Sequence, residues 1–183
     1  MWIERGSAMR RDFAGILAGV VLIAISTPAS AQSAALACAP GTSALPGELA
    51  GWAARRPLTA ATRVNLSRGA RVEIGRGVDA TLAPTPDVRY VIRPEKPGGS
   101  VSYGGLFTFA VEQAGTYRVA LGSGAWIDIL KGGKAVASTA HGHGPDCTGI
   151  RKMVDFPLTP GRYTLQIAAN GEAALPLLVA RLP

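Results

Sequence analysis

The sequence predicts an all-β protein, an antiparallel β-sandwich with a short N-terminal helix or extended arm. Three observations support this prediction. After Thr62 the apolar residues recur at every second position, no window after residue 31 keeps a 3.6-residue apolar repeat for long, and Gly and Pro separate the apolar runs. Alternation gives a strand one buried and one wetter face, as in an antiparallel sheet. Turn residues at such close spacing are typical of all-β folds.

Length and composition exclude several classes of protein. A chain of 183 residues with a formal charge of +7 fits one domain of ordinary size. With 48% hydrophobic and 17% charged residues it is too apolar for a disordered chain. Two cysteines are too few for a four-cysteine metal site, and two histidines are too few for a three-imidazole centre. The sequence also lacks a nucleophile elbow, a P-loop, a dinucleotide fingerprint and a His-Glu-x-x-His motif.

Residues 1–31 have the three parts of a secretory signal peptide. Two arginines precede an apolar run at 13–26, Pro28 breaks the run, and small residues at 29–31 offer a cleavage site. The run of about 14 residues is shorter than the roughly 20 that span a membrane. We therefore expect a periplasmic or secreted protein with no transmembrane segment after cleavage.

The start and the export route stay open. Translation from Met9 would place both arginines beside the initiator. The string Arg10-Arg11-Asp12-Phe13 is similar to the core of a twin-arginine signal, although Met9 stands where Ser or Thr is usual. Of the two routes, we expect the ordinary Sec route in preference to the twin-arginine route.

The two cysteines are expected to form a disulfide, because an exported chain folds in an oxidising compartment. Joining Cys38 to Cys147 closes a loop of about 110 residues, which the chain-entropy treatment values at roughly 4–5 kcal/mol. The alternative makes Cys147 a metal ligand.

After the leader, the chain divides into an N-terminal arm at 32–61 and a β-sandwich domain at 62–183. The arm is rich in Ala, Pro and Gly and contains a short helical piece at about 46–55. We expect it to wrap the outside of the domain, held by Cys38. The predicted strands lie at about 62–66, 70–74, 78–83, 88–92, 105–111, 115–121, 125–130, 134–138, 150–156, 161–168 and 176–181.

Two stretches of the domain echo each other. Residues 109–121 and 156–167 both begin with Phe, pass through a Gly turn and continue as Tyr-x-aliphatic-x-aliphatic. Each stretch predicts a β-hairpin. The pattern resembles the small jelly-roll and carbohydrate-module-like sandwiches of exported bacterial proteins, which implies an architecture but no activity.

Both histidines lie in the unusual string His141-Gly-His143-Gly-Pro-Asp146-Cys147. In an extended segment, an H-x-H pair places two imidazoles on one side, close enough to share a metal ion. Asp146 or Cys147 would be the third ligand, and the ion would be Cu, Zn or Fe. The alternative is a Gly-rich connection between strands, with exposed histidines and a cysteine that only anchors it.

Asp128 lies in the predicted strand Trp126-Ile-Asp128-Ile, whose apolar neighbours indicate burial. A buried carboxylate needs a partner, and we expect Lys152 or Arg118 to supply it. A functional alternative gathers Trp126, Asp128, His141 and His143 around one ligand-binding pocket.

Residues 55–76 contain six arginines against Glu73 alone. This segment suits an acidic surface such as lipid headgroups or polysaccharide, or it is simply a solvated face. Nucleic acid is not expected, because no aromatic residues interleave the arginines.

Much of the chain resembles a family of small exported, largely uncharacterised bacterial proteins. The residues that carry the resemblance are 93–100, Gly115 to Leu121, Ala125 to Asp128 and His141 to Lys152. Some members carry the label homogentisate 1,2-dioxygenase, which implies a cupin fold with iron held by two His and one Glu. His141-x-His143 is similar to the H-x-H of a cupin motif. The Glu that should follow is absent, and there is no second His-bearing motif, so the activity is not transferred.

The sequence therefore favours a periplasmic, non-catalytic β-sandwich that binds an envelope component, a polysaccharide or a protein partner. Trp126, Asp128, His141 and His143 are its predicted working surface. The alternative is a Cu, Zn or Fe protein using His141, His143 and Asp146, including a small iron-dependent dioxygenase.

Overall fold

The computed structural model describes Cys38 and residues 45–183. The predicted signal peptide at 1–31 lies outside the described residues, as does most of the first half of the predicted arm.

Eleven strands and three short 3₁₀ helices form the described part of the chain. The helices are Gly47–Ala53, Val64–Gly69 and Thr85–Asp87. The strands are β1 Arg56–Thr59, β2 Val78–Thr81, β3 Ala83–Pro84, β4 Tyr103–Val111, β5 Gly115–Leu121, β6 Trp126–Lys131, β7 Lys134–Ala135, β8 Ala140–Gly142, β9 Lys152–Leu158, β10 Gly161–Asn170 and β11 Ala174–Arg181.

The strands form two sheets, which confirms the predicted antiparallel β-sandwich. One sheet has the order β1-β2-β11-β5-β9-β8, and we call it the six-stranded sheet. The other has the order β3-β4-β10-β6-β7, and we call it the five-stranded sheet. The named strands pair antiparallel except β1 and β2, which run parallel.

The core lies between the sheets and follows the predicted alternation. On β4, Phe107 and Phe109 are buried, and on β10 Tyr163 and Leu165 oppose them across the ladder. The facing strands β5, β9 and β11 add alternate apolar residues to the same cluster. Each strand therefore uses one of its two faces to fill the gap between the sheets.

The two echoing stretches are not the hairpins that the sequence predicts. The Gly turn after β4 carries the chain from the five-stranded to the six-stranded sheet, and the turn after β9 carries it back. β4 pairs with β10 and β5 pairs with β9, so each stretch pairs with the other. The prediction fails because the pattern does not distinguish two arrangements. Strands with large apolar residues on one face occur in a hairpin, and they occur equally in two sheets that pack face to face.

Three predicted strands are also wrong. The predicted strand at 62–66 is replaced from Val64 onward by the 3₁₀ helix Val64–Gly69. Within this helix the Ser67 hydroxyl donates to the carbonyl of Val64 at 2.6 Å and satisfies the backbone locally. Residues 70–74 make only an isolated bridge from Arg71 to Thr108. Residues 88–92 form no ladder, because the side chain of Gln166 accepts from the N–H groups of Val91 and Ile92.

The first 3₁₀ helix packs on the outer face of the six-stranded sheet. Leu49 and Trp52 are buried there against Ala120, Leu178 and other small or aliphatic side chains. The indole N–H of Trp52 donates to the carbonyl of Thr148 at 2.8 Å. This bond ties the described part of the arm to the loop that contains Cys147.

Candidate ligand-binding site

A cavity of about 500 Å³ opens at the edge of the sandwich, between β6 of one sheet and β8 and β9 of the other. It exists because β7 is short: its pairing with β6 covers only Leu130 and Lys131. The N–H of Val136 makes one more bond, to the carbonyl of Ile129 at 2.8 Å. The cavity is lined by Glu95, Lys96, Trp126, Ile127, Asp128, Val136, Ser138, His141, Lys152, Val154 and Phe156.

The uncovered edge of β6 adds backbone groups to this cavity. Residues two apart on a strand direct their N–H and C=O groups to the same side. Since the carbonyl of Ile129 points toward β7, the N–H and C=O of Ile127 point the same way, past the end of β7 and toward the cavity.

Trp126 is the centre of the site. Its half-buried ring has the amino group of Lys152 at 5.6 Å and that of Lys96 at 5.7 Å from its centroid. Both cations lie within the range in which the negative face of an aromatic ring attracts them. The ring therefore combines an apolar surface with two positive charges over it.

Asp128 lies beside Trp126 on β6 and is half-buried. Its carboxylate accepts from the indole N–H of Trp126 at 3.0 Å and from the side-chain amide of Gln166 at 3.4 Å. Burial raises the pKa of Asp128, which the charge of Glu95 reinforces, while these two hydrogen bonds pull the pKa down. The carboxylate is therefore oriented by neutral donors.

The predicted ion pair of Asp128 with Lys152 or Arg118 is wrong. Arg118 instead forms a two-fold pair with Asp155, its cross-strand neighbour, with both N–O distances at 2.7 Å. The amino group of Lys152 donates to the carbonyl of Ala125 at 2.8 Å. Sequence spacing could not rank these partners, because the choice depends on which sheet face each side chain occupies.

Lys152 lies at the start of β9 on the same face as Val154 and Phe156, as predicted, and all three line the cavity. Burial lowers the pKa of Lys152, and the nearby charge of Lys96 lowers it further. Within the described residues its amine contacts a carbonyl and a ring but no carboxylate. An anionic or strongly polar ligand would stabilise the positive charge of Lys152 in this setting.

Gln166 is a functional neighbour that the sequence reasoning missed. Its side chain is fully buried on β10, where it accepts from Val91 at 2.6 Å and donates to Ile92 and to Asp128. Gln166 thus holds the segment at Val91 and Ile92 beside the site and also orients the carboxylate of Asp128. The available signal was a long amide between Leu165 and Ile167 in the predicted strand at 161–168.

The histidine loop divides between two depressions. His141 lies on β8 and lines the Trp126 cavity, while His143 lines a separate depression with Asp146 and Cys147. The Nδ1 atom of His143 is 2.8 Å from the carbonyl oxygen of Arg151. Because a carbonyl only accepts, Nδ1 carries the proton. The structure thus brings Trp126, Asp128 and His141 together and leaves His143 outside the cavity.

The disulfide between Cys38 and Cys147 is confirmed. Cys147 is therefore committed to a covalent bond and is not the third ligand of the alternative metal site. In the part of the chain that the structure describes, no three His, Cys, Asp or Glu residues are grouped closely enough to hold a metal ion.

Comparison with known proteins gives a likeness of structure. No family model matches the chain, and no curated protein matches its sequence. A solved structure that it resembles is the pre-peptidase C-terminal domain of a collagenase from Bacillus anthracis, with 17% sequence identity and a TM-score of 0.38. The match covers 60% of this chain and 91% of that one. Within the residues that the structure describes, no helix has the length and apolar character needed to cross a membrane.

Proposed function

We propose that this protein is an exported, non-catalytic β-sandwich that binds a glycan of the cell envelope in the Trp126 cavity. The observation that carries the proposal is the convergence of Trp126, Asp128, His141 and Lys152 on one opening. Its volume of about 500 Å³ lies within the roughly 300–1,000 Å³ of small-molecule sites.

The chemistry of the cavity suits a sugar. A sugar ring has an apolar C–H face and a rim of hydroxyl groups. The Trp126 ring offers a surface for the first, and the carboxylate of Asp128, the imidazole of His141 and the amine of Lys152 offer acceptors and donors for the second.

The arrangement favours binding over a reaction. The polar groups around Trp126 are held by protein partners: Asp128 by the indole and by Gln166, and Lys152 by the carbonyl of Ala125. Groups held in this way are organised to recognise a ligand at low entropic cost.

Two observations support an exported location for this function. The Cys38–Cys147 disulfide fits an oxidising compartment. The resemblance of residues 93–100, 115–121, 125–128 and 141–152 to small exported bacterial proteins points the same way.

The test is a binding titration of protein purified from the periplasm of an expressing bacterium. The probes are soluble fragments of muramidase-digested peptidoglycan and core oligosaccharides released from lipopolysaccharide. Trp126 is half-buried in the cavity and Trp52 is buried elsewhere, so tryptophan fluorescence reports on the site of the unmodified protein, and titration calorimetry measures binding by the variant that lacks Trp126. We expect saturable binding that Trp126→Ala weakens by on the order of tenfold or more.

Charge-matched variants locate the binding. Lys152→Met should weaken it, while Lys134→Met, which removes an exposed charge outside the cavity, should not. Binding unchanged by both Trp126→Ala and Lys152→Met would contradict the proposal. Stoichiometric Cu, Zn or Fe in the purified protein, lost in His141→Ala/His143→Ala, would establish the metal alternative instead.

A further inference from the structure

A second depression, of about 770 Å³, lies on the outer face of the five-stranded sheet. It shares no lining residue with the Trp126 cavity. We call it the arginine groove. Thr108 and Ala110 on β4 and Thr164 on β10 form its floor. The 3₁₀ helix Val64–Gly69 borders one side, and the turn at Gly132 and Gly133 borders the other.

Three exposed arginines line this groove: Arg68, Arg71 and Arg162. No Asp or Glu is among its lining residues. Arg71 also borders an adjoining depression with Glu73 and Glu112, but Glu73 is engaged by Arg56 at 2.8 Å and Arg76 at 3.1 Å.

The Arg-rich segment of the sequence therefore divides into two groups. Arg55, Arg56 and Arg76 make ion pairs with Asp79 or Glu73. Within the described residues, Arg63, Arg68 and Arg71 make no such pair, and of these Arg68 and Arg71 line the groove. Arg162, from a distant part of the chain, also makes no such pair with a described residue. The fold thus places three arginines without an ion pair to the described residues around one groove.

Backbone pairing sets the positions of Arg71 and Arg162 on the sheet. Ala70 and Val72 are buried on either side of Arg71, and the bridge to Thr108 sets this segment alongside β4, so the Arg71 side chain leaves on the outer face. Arg162 is paired with Ala110 on the opposite side of β4. Two strand spacings and an offset of two residues along β4 separate the two arginine positions by about 12 Å, and the floor between them carries small side chains.

We infer that the arginine groove binds an acidic polysaccharide, a chain with carboxylate or sulfate groups on successive sugars. Guanidinium groups pair with such oxyanions through two parallel hydrogen bonds. The arginine positions lie on both sides of β4 instead of converging on one point, which suits several anionic groups along a chain better than one small ion. The groove is concave, so a single chain enters it more readily than a flat bilayer does.

The test compares two triple variants that lose the same charge. Arg68→Gln/Arg71→Gln/Arg162→Gln removes the three arginine charges that line the groove. Arg89→Gln/Arg93→Gln/Arg151→Gln removes three exposed arginines outside it. Binding to immobilised heparin and to polygalacturonate is measured over a range of salt, with neutral dextran as the blank. Circular dichroism and thermal unfolding verify that both variants fold.

We expect the groove variant to bind on the order of tenfold or more weakly and with a flatter salt dependence, and the control variant to bind like the unmodified protein. Heparin against polygalacturonate distinguishes sulfate from carboxylate as the favoured group. Equal losses in both variants would show nonspecific ion exchange and overturn the inference. Binding only to vesicles containing phosphatidylglycerol would also overturn it, in favour of a lipid surface. Trp126→Ala should leave this binding unchanged, which separates it from the proposed function.

Discussion

Tyr117 and Tyr163 make the same hydrogen bond at equivalent places in the fold. The hydroxyl of Tyr117 donates to the carbonyl of Gln113, and that of Tyr163 donates to the carbonyl of Thr159, both at 2.7 Å and four residues back along the chain. Each bond closes a turn that carries the chain from one sheet to the other, the first after β4 and the second after β9. It is comparable to the tyrosine corners of other β-sandwiches.

The pairing of these two tyrosines is reciprocal. Tyr163 lies opposite Phe109 of the first echoing stretch, and Tyr117 lies opposite Phe156 of the second. The rings of Phe109 and Tyr163 stack with centroids 5.4 Å apart. The sequence echo therefore corresponds to an approximate two-fold relationship between the two sheet-crossing units.

Removing each hydroxyl should destabilise the fold by different amounts. Tyr117→Phe loses one hydrogen bond and is expected to lower the free energy of unfolding by about 1 kcal/mol. Tyr163→Phe should cost more, about 2 kcal/mol, because this hydroxyl also accepts from the backbone N–H of Thr159 at 3.0 Å. Urea unfolding measures both.

Tyr103→Phe is the control for these variants. The Tyr103 hydroxyl makes no hydrogen bond to the described residues, so its removal should change the unfolding free energy by less than about 0.5 kcal/mol. Equal effects at all three tyrosines would show that the two corners contribute nothing specific.

The Arg118–Asp155 pair should behave as a coupled unit. Asp155 is 7% exposed and accepts both guanidinium bonds, so Arg118→Met leaves a buried carboxylate unpaired, at an expected cost of about 3 kcal/mol. The double variant Arg118→Met/Asp155→Leu removes both charges. It should be clearly more stable than the sum of the single losses predicts, and strict additivity would contradict a direct pair.

The alternation of β4, β5, β9 and β10 was enough to predict the class of fold, because it reports burial directly. It could not show which strand neighbours which. Phe109 and Tyr163 look like members of two hairpins in sequence and are cross-strand partners in space. Likewise Trp126, Asp128 and His141 were predicted to meet, but the exclusion of His143 depends on where β8 ends, which no local pattern encodes.

The disulfide should stabilise the protein chiefly by restricting the unfolded chain. The bridged residues are 109 positions apart, which corresponds to roughly 4–5 kcal/mol in the chain-entropy treatment. Cys38→Ser/Cys147→Ser is expected to lower the urea midpoint accordingly. A reductant should destabilise the unmodified protein but not the double variant. If the reductant leaves the unmodified protein unchanged, the loop closure contributes no stability.

The two histidines provide a matched test of the site. His141 lines the Trp126 cavity, whereas His143 faces the neighbouring depression and bonds to Arg151. His141→Ala should weaken binding of the envelope oligosaccharides by about 1 kcal/mol, the net value of one hydrogen bond, and His143→Ala should leave it unchanged. Equal losses in a fluorescence titration would place both histidines at the ligand and contradict the geometry.

Asp128 should give the protein a distinctive dependence on pH. Burial raises the pKa of this carboxyl in the folded state above its ordinary value of 3.8. Between those two values the folded state binds more protons than the unfolded state, so the contribution of Asp128 to stability falls as pH rises through this window. Asp128→Asn removes that fall. The unfolding free energy of the variant, relative to the unmodified protein, should therefore rise from pH 3.5 to pH 7. Asp87→Asn, at an exposed carboxyl outside the cavity, is the control. A relative stability of Asp128→Asn that is constant or decreasing with pH would show that the indole and amide hydrogen bonds to the carboxylate outweigh its burial.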